Sequence, residues 1–156
     1  VPTHPGHPGD ADFYSAQGPA TVLSPDSCRD LLRRARLGRL AVCMDGTPVV
    51  FPVDYRYDRD RVVLRTASGQ KLDALQGGTR VAFQVDHRDA RVAWSVMAHG
   101  IPQVIDAQTE VDRLDRLRWP RWIPVSEYTY VAIPLQEISG RRIAAHVELA
   151  RLVPDG

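Results

Sequence analysis

Five residues in one short stretch, Arg65, Thr66, Ser68, Gln70 and Lys71 within RVVLRTASGQKL (61–72), could together grip an anion. Arginine offers a planar fork of donors that matches a phosphate, and lysine adds a compact charge. Hydroxyl and amide groups would donate the remaining hydrogen bonds. The stretch reads as a strand that runs into a Ser68-Gly69 turn and then a short helix, whose first amides lack intrahelical partners. Neither a GxxxxGK[ST] loop nor a GxGxxG fingerprint is present. Two surface charges capping an ordinary turn would give the same residues. Lys71 has one further distinction: of 20 basic residues, 19 are arginine and it is the sole lysine.

Two other segments carry potential chemistry. Pro52-Val53-Asp54-Tyr55 lies in an apolar run where a proline interrupts hydrogen bonding and an aspartate needs a partner or solvent. A flat heteroaromatic ligand taking backbone hydrogen bonds would account for both residues, and so would an edge strand. In Trp94-Ser95-Val96 the alternation puts Trp94 and Val96 on one face and Ser95 on the other, which suits a ligand edge or a plain core tryptophan. His4 and His7 sit among prolines and glycines and read as parts of a solvated tail, so no metal site is expected.

These segments must be positioned by local structure that the sequence also signals. Residues 1–22 are rich in Pro, Gly and polar residues and read as a flexible or extended tail; residues 23–156 form one domain. Ser24-Pro25-Asp26 is a helix start, with Cys28, Leu31, Leu32 and Ala35 on one face and Gly38 as the stop. The period then becomes that of strands: RLAVCM, an Asp45-Gly46 turn, TPVVFPVDYRY, an Asp58-Arg59-Asp60 turn, and RVVLRTA. A short helix, GQKLDAL, ends at Gly77-Gly78. The strands RVAFQVD and RVAWSVMAHGIPQVID follow, the second with a bulge or bend at Gly100 and Pro102. A helix over 108–118 with Val111, Leu114 and Leu117 on one face precedes a Pro/Trp loop and a last strand, YTYVAIPLQEISGRRI. Six strands joined mainly by hairpins favour a mainly β, antiparallel barrel with short peripheral helices.

Composition narrows the function classes. With 156 residues, 44% hydrophobic and 25% charged, the chain has the profile of one globular domain. A formal net charge of +1 argues against a dedicated nucleic-acid binder. There is no apolar run long enough to span a membrane and no secretion signal, so a cytoplasmic location is expected. Two cysteines are too few for a disulfide framework.

The helix, GRLAV strand, DG turn, PVDY strand, VVLRTASGQKL and WSVMAHG together resemble the flavin-binding split β-barrel group related to pyridoxamine 5′-phosphate oxidase, over about residues 24 to 143. The resemblance implies a six-stranded Greek-key split β-barrel and a homodimer with FMN in two grooves between subunits. It implies that the Pro52–Tyr55 backbone lines the isoalloxazine ring. Arg65, Thr66, Ser68, Gln70 and Lys71 would hold the ribityl phosphate, and Ser95 with Trp94 would reach the flavin of the partner subunit. The implied activity is an FMN-dependent oxidoreductase acting on a small-molecule substrate, with no side chain assigned a catalytic role. An actinobacterial source fits the arginine-heavy composition.

The chain departs from pyridoxamine phosphate oxidases proper at two places. Gln70 stands where a second basic residue precedes the lysine. The end, GRRIAAHVELARLVPDG, lacks the arginine–histidine substrate motif, so Arg142 and His146 are not assigned as substrate ligands and oxidation of vitamin B6 is not expected. Two alternatives stay open. A deazaflavin-dependent reductase could use the arginines at 113, 116, 118 and 121 for a polyanionic cofactor tail. A non-catalytic flavin- or haem-binding protein could use His87 or His99 as an axial ligand.

Overall fold

A computed structural model describes residues 9, 11–15, 18–120 and 127–144. Its ten strands run β1 (Ala11–Ser15), β2 (Gly18–Val22), β3 (Leu37–Met44), β4 (Thr47–Asp58), β5 (Arg61–Thr66), β6 (Val81–Arg88), β7 (Val92–Gly100), β8 (Gln103–Ile105), β9 (Thr129–Pro134) and β10 (Glu137–Ala144). Three helices accompany them: α1 (Pro25–Arg34), α2 (Gln70–Gln76) and α3 (Gln108–Asp115). Among the described residues the strand pairings are antiparallel, in the order β1-β2-β10-β7-β6-β3-β4-β5-β9-β8. The sheet curls into a half-barrel, so the mainly β class expected from the sequence holds.

The strand count does not hold, and each difference has a local cause. The long fifth strand breaks after Gly100 into β7 and β8, at the glycine and proline expected to bend it. A Cβ at Gly100 would lie 2.0 Å from the carbonyl oxygen of Pro134, so only glycine lets these strand ends meet. The last strand divides at Leu135–Gln136 into β9, paired with β5, and β10, paired with β7. Within residues 1–22, read from sequence as a flexible or extended tail, β1 and β2 form a hairpin that docks on β10. His4, His7 and His146 lie outside the described residues.

Helix α1 starts as its residues dictate. Ser24 caps it, its hydroxyl accepting from the Ser27 amide at 3.2 Å, and Pro25 occupies the first turn. The helix ends at Arg34, earlier than Gly38, because Ala35 is already extended (ψ 163). Gly38 instead sits inside β3, where a Cβ would come within 2.3 Å of the Phe83 ring. Cys28, Leu31 and Leu32 are buried as their spacing requires.

The main core gathers Leu32, Leu40, Tyr55, Leu64, Phe83 and Ile133 inside the curl. A smaller cluster of Val63, Leu114, Tyr130 and Ala132 lies under α3. Strands β5 and β9 are therefore apolar on both faces, which explains their near-continuous hydrophobic runs. Helix α3 is pinned by charge as well. Arg113 bonds Asp58 at 2.7 and 2.9 Å and Glu110 at 2.7 Å, while Arg61 pairs with both acids. These bonds, led by those from Arg113, hold the Asp58 and Glu110 carboxyls at about 2. The chain leaving α3 is thereby delivered to the site described next.

Candidate functional site

Strand β4 changes partners halfway along. Up to Asp54 it pairs with β3, and from Tyr55 it pairs with β5. At the crossover the Tyr55 amide donates to the carbonyl of Arg36 (2.9 Å). A cleft of about 430 Å³ lies at this divergence. Its floor is Phe51 and Asp54 of β4, one side is the segment from Arg65 through Lys71, and the other is Trp119, Pro120 and Tyr128.

The sequence-predicted residues separate clearly. Asp54, Arg65, Thr66, Ser68, Gln70 and Lys71 all line the cleft. Gly69 adopts φ 144, a backbone that L side chains rarely take, and so permits the sharp passage from β5 into α2. No side chain caps α2, so its first amides are left without a side-chain acceptor at the cleft. Val53 and Tyr55 point into the core, where the Tyr55 hydroxyl donates to the Leu32 carbonyl (2.7 Å) and its ring meets Phe83 edge-on. Burial raises the Tyr55 pKa. Pro52 is exposed on the outer face of the sheet. None of these three lines the cleft. Trp94 and Ser95 lie on β7, away from it; Trp94 packs on the core and Ser95 faces outward.

Residues the sequence reading missed shape the cleft strongly. The Arg65 guanidinium lies over the rings of Tyr128 (4.9 Å) and Trp119 (5.3 Å) and donates to the Pro120 carbonyl (2.9 Å). The Tyr128 and Tyr130 hydroxyls both donate to Asp115 (2.8 and 2.7 Å). The Trp119 indole N–H donates to the Leu114 carbonyl (2.9 Å). Cation–π contact is worth roughly 0.5–2 kcal/mol, enough to fix the fork of Arg65 in place. The Pro/Trp composition is visible in the sequence; the contacts of Trp119, Pro120 and Tyr128 with Arg65 are not, because these partners lie more than fifty positions away along the chain.

The charged side chains lining the cleft are Arg65, Lys71 and Asp54, a net positive balance. Among the described residues neither Arg65 nor Lys71 pairs with a carboxylate. Lys71 holds its amine 5.0 Å from the Phe51 ring centre, and burial pushes its pKa down. Arg56, also over Trp119 (5.2 Å), has its pKa lowered by burial first and then by the like charges of Arg36 and Arg65, with Asp54 acting in the opposite direction. Positive charge is thus gathered beside two hydroxyls, with the Asp54 carboxylate in the cleft lining as a partial counter-charge to Arg56. Such an arrangement is costly unless a negative ligand completes it.

Comparison with known proteins agrees with this geometry. Residues 24–142 match the family model described as pyridoxamine 5′-phosphate oxidase, so the chain belongs to that family. A crystal structure of a candidate pyridoxamine 5′-phosphate oxidase from Corynebacterium glutamicum is similar, with 30% identity and TM-score 0.75, covering 81% of this chain and 100% of that one. An FAD-binding protein from Mycobacterium smegmatis has 28% identity and TM-score 0.71, covering 80% and 99%. An FAD-binding protein from Mesorhizobium loti has 25% identity and TM-score 0.71, covering 80% and 98%. A curated, uncharacterised protein of Rhizobium meliloti is 33% identical over 52 residues, which span 33% of this chain and only 34% of that protein. Among the described residues no helix is long and apolar enough to cross a membrane.

Proposed function

We propose that this chain binds a flavin through its FMN moiety and works as a flavin-dependent oxidoreductase on a small-molecule substrate. The observation that carries the reading is the pair of cations, Arg65 and Lys71, which have no ion-pair partner among the described residues and stand beside Thr66, Ser68 and Gln70 in a cleft with aromatic walls. The residues fit a phosphorylated heteroaromatic cofactor: fixed fork, point charge and hydroxyls for the phosphate, ring faces for the apolar part. Two similar structures at 25% identity or more are of FAD-binding proteins, and FAD contains the FMN moiety.

A bound flavin supplies the hydride or electron transfer. The chain's own residues bind and orient it. Arg65, locked by Tyr128 and Trp119, fixes the position of the phosphate, and the Phe51 wall excludes water from one side of Lys71. No side chain is assigned a proton-transfer role.

The proposed unit is a homodimer. Leu37, Val50 and Met97 are exposed apolar residues on the outward face of β3, β4 and β7, and the strand register puts Ser95 and Asp54 on that same face. Because Asp54 also lines the cleft, a second copy covering this face would close the cleft and bring its own Ser95 to it, while Trp94 stays on the core side of β7.

The other cofactors raised by the sequence gain less support. Arg113 is spent on Asp58 and Glu110, which takes it from the basic surface suited to a deazaflavin tail. Arg121 lies outside the described residues. His87 contacts Asp89 (3.2 Å) and stacks on Trp94, and neither it nor His99 lines the cleft, which disfavours haem.

The test is titration of the purified protein with FMN, followed by flavin fluorescence and visible absorbance. Saturable one-to-one binding per chain that is lost in Lys71→Ala supports the reading. A protein that binds no flavin, or binds FMN no better than riboflavin, overturns it.

A further inference from the structure

Two consecutive residues at the end of α3 hold the two rings that bracket Arg65. The Leu114 carbonyl accepts from the Trp119 indole N–H (2.9 Å), and the Asp115 carboxylate accepts from the Tyr128 hydroxyl (2.8 Å). The Arg65 guanidinium lies 5.3 Å from the first ring centre and 4.9 Å from the second. Helix α3 is fixed in turn by the bonds of Arg113 to Asp58 (2.7 and 2.9 Å). Support therefore runs from the ion cluster, through the end of α3, to the cationic fork.

The Tyr128 ring needs that support. It stands one residue ahead of β9 and is 38% exposed, so packing alone leaves it several rotamers. Its bond to Asp115 and its edge-on contact with Tyr130 (5.4 Å) select the one that meets Arg65. The buried Tyr130 donates to the same Asp115 oxygen (2.7 Å), so one carboxylate sets both tyrosines. Leu114 acts through its backbone, which any residue would supply. Asp115 acts through its side chain, forms no ion pair among the described residues and lies outside the lining of the cationic cleft.

We propose that Asp115 is a positioning residue for the flavin phosphate, aiming the Arg65 fork into the cleft through Tyr128. This rests on the flavin reading and adds to it a residue remote from the cofactor. The sign of the effect separates positioning from charge. A carboxylate near an anion site repels the anion, so removing its charge alone should favour phosphate binding. Removing its hydrogen bonds should do the reverse, because Arg65 loses an orientation set before the ligand arrives.

The experiment compares Kd values for FMN and riboflavin, read by flavin fluorescence, in the unsubstituted chain, Asp115→Ala, Asp115→Asn and Tyr128→Phe. Asp115→Ala should weaken FMN at least fivefold and riboflavin less than twofold. Asp115→Asn keeps an oxygen acceptor for both hydroxyls and should bind FMN within twofold of the unsubstituted chain, or more tightly. Tyr128→Phe keeps the ring, loses the bond to Asp115 and should follow Asp115→Ala. In an Arg65→Ala background, Asp115→Ala should change FMN affinity less than twofold. Unchanged or tighter FMN binding in Asp115→Ala would overturn the proposal and leave the flavin reading intact. Equal losses of FMN and riboflavin would make Asp115 a support of the fold and overturn it too, as would a full effect of Asp115→Ala in the Arg65→Ala background. Failure of the unsubstituted chain to bind either flavin would instead strike the underlying reading, and this one with it.

Discussion

The guanidinium of Arg65 rests 4.9 Å from the ring centre of Tyr128, and the Tyr128 hydroxyl is anchored 2.8 Å away on Asp115. An arginine in a strand end is thereby held by a residue from the far side of the chain, with its charge left for a ligand. Arg65→Lys tests this arrangement. It keeps the charge and loses both the fork and the stacking, so FMN affinity should fall by about 1–2 kcal/mol, read by fluorescence titration. Unchanged affinity would show that only net charge matters there.

Lys71→Met should separate binding from stability. The half-buried ammonium has no carboxylate partner among the described residues, and burial disfavours its charged form. The variant is expected to melt at the same temperature or a few degrees higher. Its FMN binding should weaken by roughly 1.5–3 kcal/mol, the scale of a charge-assisted hydrogen bond, with riboflavin binding unaffected. A large fall in Tm would mean that Lys71 serves the fold.

The ion cluster on α3 predicts an acid-sensitive fold. Asp58 and Glu110 are held at about 2, below their ordinary values near 4. Their contribution is therefore full above the unfolded pKa values and is lost as pH falls through about 2. Thermal melts should show Tm declining between about pH 4 and pH 2. Arg113→Ala should cost roughly 1–3 kcal/mol at neutral pH, between the values for exposed and buried pairs, and flatten the acid slope.

Gly100→Ala places a methyl carbon 2.0 Å from the Pro134 carbonyl oxygen, a backbone atom that cannot swing aside. Destabilisation by about 1–3 kcal/mol is expected from overpacking, measured by urea unfolding. Gly46→Ala is the control: nothing lies near its Cβ, and only its φ of 77 is penalised.

Leu37→Glu addresses the proposed homodimer. Leu37 is 59% exposed, so the substitution should leave the fold intact. Light scattering is expected to report a monomer with weakened FMN binding. A dimer of unchanged affinity would locate the subunit contact elsewhere.

Much of this molecule is readable from local pattern. Ser24-Pro25-Asp26, Asp45-Gly46 and the alternation in RVAFQVD state their conformations because the causes lie within a few neighbours. Gly38 misleads for the opposite reason: its lack of a side chain answers to Phe83, forty-five positions away, and has nothing to do with ending a helix. The same distance hides half of the site. Arg65, Gln70 and Lys71 are legible as an anion-binding stretch, whereas Phe51, Trp119 and Tyr128 join them only through tertiary packing. The outward face holding Ser95 depends on strand order, which no single segment encodes.

The hairpin of β1 and β2 has a consequence beyond its own residues. It gives β10 a neighbour on each side, β7 and β2, although the family match itself begins only at residue 24. Trimmed to that match, the chain would present a bare row of backbone donors and acceptors along β10, a template for strand-by-strand polymerisation. The first two strands thus move the exposed edge from the eight-residue β10 to the five-residue β1, a shorter template for pairing with another chain.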